Sequence, residues 1–139
     1  MADEIVIPET VTIDQLYDVF DAAMYQVKRE EGGQRLRITG DLTLWVNLSE
    51  SKQHVRFFGV FGFRDGTDLG ARLALANQIN DHLIIVRAAV SGEQSDRLWL
   101  DQYVWLGGGV TKKNVALAFK QFETLVAGAM KEDKANLIA

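Results

Sequence analysis

Several strand-like stretches in this chain carry large apolar groups on both faces, and that limits what the chain can fold into. Side chains alternate sides along a strand. In Leu98–Leu106, Leu98, Leu100, Val104 and Leu106 therefore share one face, while Trp99, Tyr103 and Trp105 share the other. Leu42–Leu48 repeats the pattern, with its leucines and Val46 on one side and Trp45 on the other. A sheet packed on a core by one face should read hydrophobic-in, polar-out. Here the second face is aromatic, so a second subunit or a partner polypeptide is expected to cover it.

With 139 residues the chain is expected to form one domain spanning 1–139, with an ordered core over about 12–130. Fifteen basic against nineteen acidic residues give a net charge of −4, and no basic run is present. Nucleic-acid binding requires phosphate neutralisation, so nucleic acid is not an expected partner. The absence of cysteine excludes thiol chemistry, disulfides and Cys-based zinc sites, and it fits a reducing compartment. The start Met1-Ala2-Asp3-Glu4 is acidic where a signal peptide is basic, and no apolar run reaches the length of a membrane span. A cytoplasmic protein without membrane insertion is the expectation.

Thr12 with Gln15 has the spacing of a capping box, and Val11 with Leu16 that of a hydrophobic staple. The helix they open carries an apolar stripe of Ile13, Leu16, Phe20, Met24 and Val27 and is expected to run to Gly32-Gly33. Three strands follow, over Arg35–Thr39, Leu42–Ser49 and His54–Phe63, with links short enough to require antiparallel pairing. In the third, Val55, Phe57, Phe61 and Phe63 share one face, with Phe58 and Val60 on the other. Asp68 is the expected N-cap of a middle helix reaching about Asp81. Its Gly70, Ala71 and Ala74 are small enough for another backbone to approach. The run Leu83–Val90 reads as a strand buried on both faces, and Arg97–Leu106 as the last strand. After Gly107–Gly109, Thr111 caps a final helix whose inner face is Val115, Phe119, Phe122, Val126 and Ala129. The tail beyond Lys131 is polar and is expected to fray. The order α-β-β-β-α-β-β-α predicts an α+β fold, an antiparallel sheet of about five strands with helices packed on it.

The order, and the residues at its joints, resemble the YbjN family of bacterial proteins, labelled "putative sensory transduction regulators". The resemblance rests on Ala76-Asn77-Gln78-Ile79-Asn80 in the middle helix, Ile85-Val86-Arg87 after it, and Gly108-Gly109-Val110-Thr111 before the last helix, and it runs from about Ile13 to Ala129. The family looks like the class I type III secretion chaperones in fold, homodimers that hold partner polypeptides without ATP. The resemblance implies a binding or adaptor protein and carries no catalytic residues.

Other constellations read as structural. His54 and His82 are the only histidines and lie in no HxxxH or HExxH pattern, so they read as surface residues. Leu106–Lys113 is a glycine-rich loop opening a helix but matches neither GxxxxGK[ST] nor GxGxxG. Lys112 and Lys113 in the first helical turn oppose the helix dipole, which makes them candidates for contact with an anion or an acidic partner. Asn77, Asn80 and Asp81 read as a helix end closed by amide side chains or, if the middle helix lies at a dimer interface, as residues that hydrogen-bond across it, with Asn77 the one assigned to that interface. Asp14, Asp18 and Asp21 read as a solvated helix face.

The expectation is therefore a non-enzymatic module, chaperone- or adaptor-like, acting as a homodimer that buries apolar segments of a partner polypeptide. The expected interface residues are Trp45, Phe58, Gly70, Ala74, Asn77, Trp99, Tyr103 and Trp105. No catalytic residue, metal or cofactor is assigned. The alternative is a small-molecule sensor with a pocket lined by Trp and Tyr.

Overall fold

The computed structural model describes residues 5–30 and 32–139, so the acidic start at Met1–Glu4 lies outside the described residues. The elements are β1 (Ile5–Val6), α1 (Ile13–Ala22), β2 (Gln26–Arg29), β3 (Arg35–Thr39), β4 (Thr43–Leu48), β5 (His54–Gly62), α2 (Leu69–His82), β6 (Arg87–Ser91), β7 (Arg97–Trp105), β8 (Val110–Thr111) and α3 (Lys112–Lys131). Six strands form one sheet in the order β2-β3-β4-β5-β7-β6, and β1 pairs with β8 in a second, two-stranded one. The fold is α+β, with β1 and β8, β2 and β3, β3 and β4, and β6 and β7 paired antiparallel.

The chain divides into two compact units, Met1–Phe57 with Tyr103–Gln121, and Phe58–Gln102 with Phe122–Ala139. In the first, Thr12 caps α1 by accepting a bond from the Gln15 N–H at 3.1 Å. The return half of the capping box is not made: the buried Gln15 Oε1 accepts no hydrogen bond. Leu16, Val19 and Phe20 of α1 are buried with Leu36, Ile38, Leu44, Val46, Val55 and Phe57 from the strands. At the centre, the rings of Phe20, Phe57 and Phe119 meet edge-to-face with centroids 5.1–6.3 Å apart, the arrangement the aromatic quadrupole favours.

The first helix is shorter than its stripe suggests. It ends at Ala22, Met24 takes a positive φ of 72° and is exposed, and the chain reverses. Val27 therefore belongs to β2, which pairs with β3 through Val27↔Ile38 and Lys28↔Arg37. That reversal adds a strand the periodicity did not reveal.

In the second unit Asp68 caps α2, accepting from the Ala71 N–H at 3.2 Å. Leu75, Ala76 and Ile79 are buried, as are Val86, Ala88, Leu98, Leu100, Phe122, Val126 and Ala129. The run Leu83–Val90 is not a doubly buried strand. Val86 N–H bonds the Ile84 carbonyl at 2.7 Å across Ile85, whose φ is 72°. This is a γ-turn of the rarer, strained hand, and it leaves Ile84 and Ile85 exposed. The strand β6 begins only at Arg87 and lies at the sheet edge. Asn80 secures it, its side chain donating to the Ala88 carbonyl at 2.9 Å and accepting from the Ala88 N–H at 2.7 Å.

The tail does not fray. The Asp133 carboxylate accepts from the N–H groups of Leu137 and Ile138 at 2.8 and 2.9 Å. Ile138 bridges to Phe63, and the Arg64 N–H donates to the Leu137 carbonyl at 2.7 Å. Asp133 thus folds the segment back so that its backbone completes the end of β5.

Candidate functional site

In the first unit the aromatic group of interest stands on the starts and ends of strands. His54 opens β5, its N–H bonded to Ser49 Oγ at 3.3 Å and its carbonyl to the Ser49 N–H at 3.2 Å. Its ring meets Tyr103 edge-on at 5.1 Å and lies nearly parallel to Trp105 at 6.3 Å. The Arg56 guanidinium is 6.0 Å from the Tyr103 ring centroid. Tyr103 remains 47 % exposed and Trp105 63 %. The Trp105 indole lies against Gly107, where an added Cβ would stand 2.5 Å from Nε1. Trp45 is half-buried between the buried Leu44 and Val46, and it pairs in register with Arg37.

In the second unit Phe58 is covered by its own chain, while Trp99 stays half-buried. Phe58 is only 2 % exposed and stacks on Trp99 with centroids 5.5 Å apart. Beside them Arg87 grips Asp101 with two bonds, at 2.9 and 2.7 Å, across the β6–β7 register. The outward side of α2 carries Leu69, Gly70, Leu73, Ala74 and Asn77, all exposed. Gly70, Ala74 and Asn77 fall at i, i+4 and i+7, one stripe of the helix. Sequence reading missed Ile84 and Ile85 as surface residues, because an unbroken apolar run gives no sign of a tight turn.

His82 sits at the C-terminal end of α2, where its Nδ1 lies 3.0 Å from Glu132 Oε1 and its Nε2 3.7 Å from Asp81. Glu132 also accepts from Gln78 Nε2 at 2.8 Å. These two hydrogen bonds, that from Gln78 first, hold the Glu132 carboxyl below the usual carboxylate range. Among the described residues no group of three or more His, Asp or Glu side chains is placed to hold a metal ion. Lys112 and Lys113 stand in the first turn of α3, behind a Thr111 cap that accepts from the Asn114 N–H at 3.1 Å. The glycines before them serve the turn: Gly109 has a φ of 91°, and a Cβ there would meet Ile5 Cγ2 at 2.6 Å. No helix among the described residues is long and apolar enough to cross a membrane.

Recesses open elsewhere. One of about 250 Å³ lies between α2 and the tail, walled by Ala71, Ala74, Leu75, Gln78 and residues 132–135 with Leu137. Another, of about 610 Å³ and shallow, is walled by Asp21, Tyr25, Gln26, Val27, Lys28, Arg37 and Thr39. Tryptophan lines neither.

The antiparallel sheet with helices packed on it is an α+β fold, and it is type III secretion chaperone-like, as its likeness to a solved chaperone shows. Residues 12–132 match the YbjN family model, "Putative bacterial sensory transduction regulator", and the chain belongs to that family. The crystal structure of YbjN from E. coli is similar with a TM-score of 0.77 at 19 % identity, over 93 % of this chain and 96 % of that one. An uncharacterized protein from Methanothermobacter thermautotrophicus follows, with a TM-score of 0.65 at 6 % identity, covering 91 % and 99 %. The HopA1-SchA chaperone-effector complex is similar with a TM-score of 0.59 at 11 % identity, covering 88 % and 99 %. No curated protein matches the chain in sequence.

Proposed function

We propose that this chain is a non-enzymatic protein-binding module, chaperone- or adaptor-like, which acts as a homodimer and buries apolar segments of a partner polypeptide. The observation that carries the reading is the exposure of Tyr103 and Trp105 on β7, an inner strand of the six-stranded sheet. Large aromatics left in water on a rigid strand cost solvation and fit a surface that another chain covers. The fold is consistent with this, since a similar structure is a chaperone bound to its effector. The outward stripe of Gly70, Ala74 and Asn77, flanked by Leu69 and Leu73, is the assigned self-association face. Trp45, Tyr103 and Trp105 are the assigned partner contacts, with Trp99 and Phe58 supporting from within the chain.

The test compares two variants by sedimentation equilibrium, thermal unfolding and partner pull-down. Trp105→Ser combined with Tyr103→Ser removes groups that contribute about 2 kcal/mol or more at a hot spot. It should leave folding intact and weaken partner association. Ala74→Glu should shift a dimer toward monomer. A wild-type monomer at micromolar concentration, or an aromatic variant that unfolds with its association unchanged, would contradict the proposal.

A further inference from the structure

The sheet face that carries Trp45 in the first unit is basic, although the chain as a whole carries a net charge of −4. Register places Lys28 on β2 opposite Arg37 on β3, and Arg37 opposite Trp45 on β4. Neighbouring strands are about 4.8 Å apart, so these three side chains form a row across three strands, within about 10 Å. The residues before and after them, Leu36, Ile38, Leu44 and Val46, are buried, so the row stands on the side away from the core. Arg35, opposite Asn47, is on the same side. Arg56, on β5, faces the Tyr103 ring. The shallow recess of about 610 Å³ adjoins the row and takes its wall from Lys28 and Arg37, with the uncharged Gln26 and Thr39 beside them. Asp21 is the acid in that wall, and Glu30, whose N–H bonds the Arg35 carbonyl, stands at the strand end.

We propose that this face selects an acidic polypeptide segment, one in which carboxylates adjoin aromatic or large apolar residues. Guanidinium forks bind carboxylates directionally, often with two bonds, and complementary charge raises the encounter rate and rejects basic segments. The order follows from the sheet: every second side chain of an extended segment laid across the strands would face it, meeting Lys28, Arg37 and then Trp45, with Tyr103 and Trp105 further along on β7. The inference rests on the protein-binding reading above and adds to it the chemistry of the partner. Net negative charge on the whole molecule weighs against a polyphosphate, whose binding draws on many phosphate contacts at once.

Fluorescence anisotropy with three labelled probes tests it: a Glu-Tyr copolymer, a Lys-Tyr copolymer of matched length, and oligo(dT). The expected result is binding of the Glu-Tyr copolymer at least about tenfold tighter than of the Lys-Tyr one, weakening as salt rises through the screening range. Lys28→Glu with Arg37→Glu should reduce Glu-Tyr binding about tenfold or more. Lys28→Gln alone, at an exposed site with no bearing on the core, should reduce it less while leaving the melting temperature unchanged. Equal binding of both copolymers overturns the acidic selectivity and leaves the aromatic binding face standing. Binding of neither overturns both readings. Tighter binding of oligo(dT), or Glu-Tyr binding unaffected by the charge reversals, overturns the selectivity proposal and assigns the face to another ligand class.

Discussion

Replacing Arg72 with methionine should destabilise the protein by about 2–3 kcal/mol, and the reason is its set of partners. Arg72 is a buried α2 residue. Its Nε donates to Thr67 Oγ1 at 2.7 Å, Nη1 to the Ser95 carbonyl at 2.8 Å, and Nη2 to the Arg64 carbonyl at 3.3 Å, while its guanidinium lies 5.1 Å over the Phe63 ring. One side chain thereby ties the turn before α2 and the turn before β7 to the helix. Hydrogen bonds from a charged donor contribute about 1.5–3 kcal/mol each. Three at the low end, with about 0.5–1 kcal/mol from the ring contact, would give roughly 5. Methionine keeps the stem length and relieves the chain of desolvating a charge, which returns part of that sum. The Arg64 carbonyl also keeps its bonds from the Thr67 N–H and hydroxyl, at 3.3 and 2.8 Å. The net of about 2–3 kcal/mol should lower the melting temperature by roughly 5–15 °C for a chain of this size. Urea unfolding followed by circular dichroism reads the change directly. Arg72→Lys separates geometry from charge: an ammonium cannot reach three divergent acceptors, so it should lose most of the same stability. A lysine variant within about 0.5 kcal/mol of wild type would refute the clamp and leave only a charge effect.

Two further outcomes are expected. Gly109→Ala should cost about 2–3 kcal/mol in urea unfolding, because it joins a positive-φ penalty to displacement of Ile5, whereas Gly108→Ala, with a φ of 83° but open space around it, should cost only about 1; equal losses would show that the β1–β8 contact does not matter. The Glu132 carboxyl is depressed in the folded state, so its stabilisation is present in full at neutral pH and is lost as pH falls below about 4; Glu132→Gln should therefore make the acid limb of a melting-temperature profile shallower, and parallel limbs for the two proteins would count against the Gln78–Glu132–His82 latch.

Local chemistry was legible in the sequence, and pairing between distant residues was not. The caps Thr12, Asp68 and Thr111 each act on an N–H three residues away, so spacing alone located them. Strands β3, β4, β5 and β7 were visible because apolar residues that are buried recur at every second position in part of each, as in Leu36 and Ile38, Leu44 and Val46, Val55 and Phe57, and Leu98 and Leu100. The strand β2 was not, because Met24 and Val27 continue a helical spacing from Phe20 and only pairing with β3 makes Gln26–Arg29 extended. The docked tail had one local sign, Asp133 four residues before Leu137, but its value depends on β5 lying alongside.

The aromatic faces show where parity alone stops. In β7, Trp99, Tyr103 and Trp105 share a side, and strand alternation treats them alike. Their cross-strand neighbours do not. Trp99 meets Phe58, an apolar ring that stacks on it and helps to withdraw it from water. Tyr103 meets the His54 ring edge-on and the Arg56 guanidinium, and Trp105 lies nearly parallel to the His54 ring, so their neighbours are polar planar groups and not apolar rings. An aromatic beside an apolar partner is partly withdrawn, as Trp99 is; an aromatic beside a cation or an imidazole on the outer side of a sheet remains open and able to exchange that neighbour for a partner's side chain. Reading the residues of β5 against those of β7, rather than either strand alone, separates the two cases. It predicts that His54→Phe would close over Trp105, reduce its exposure and weaken partner binding without loss of stability. Tryptophan fluorescence quenching by iodide measures that directly: unchanged quenching in the variant would mean that something other than the cross-strand neighbour keeps Trp105 open.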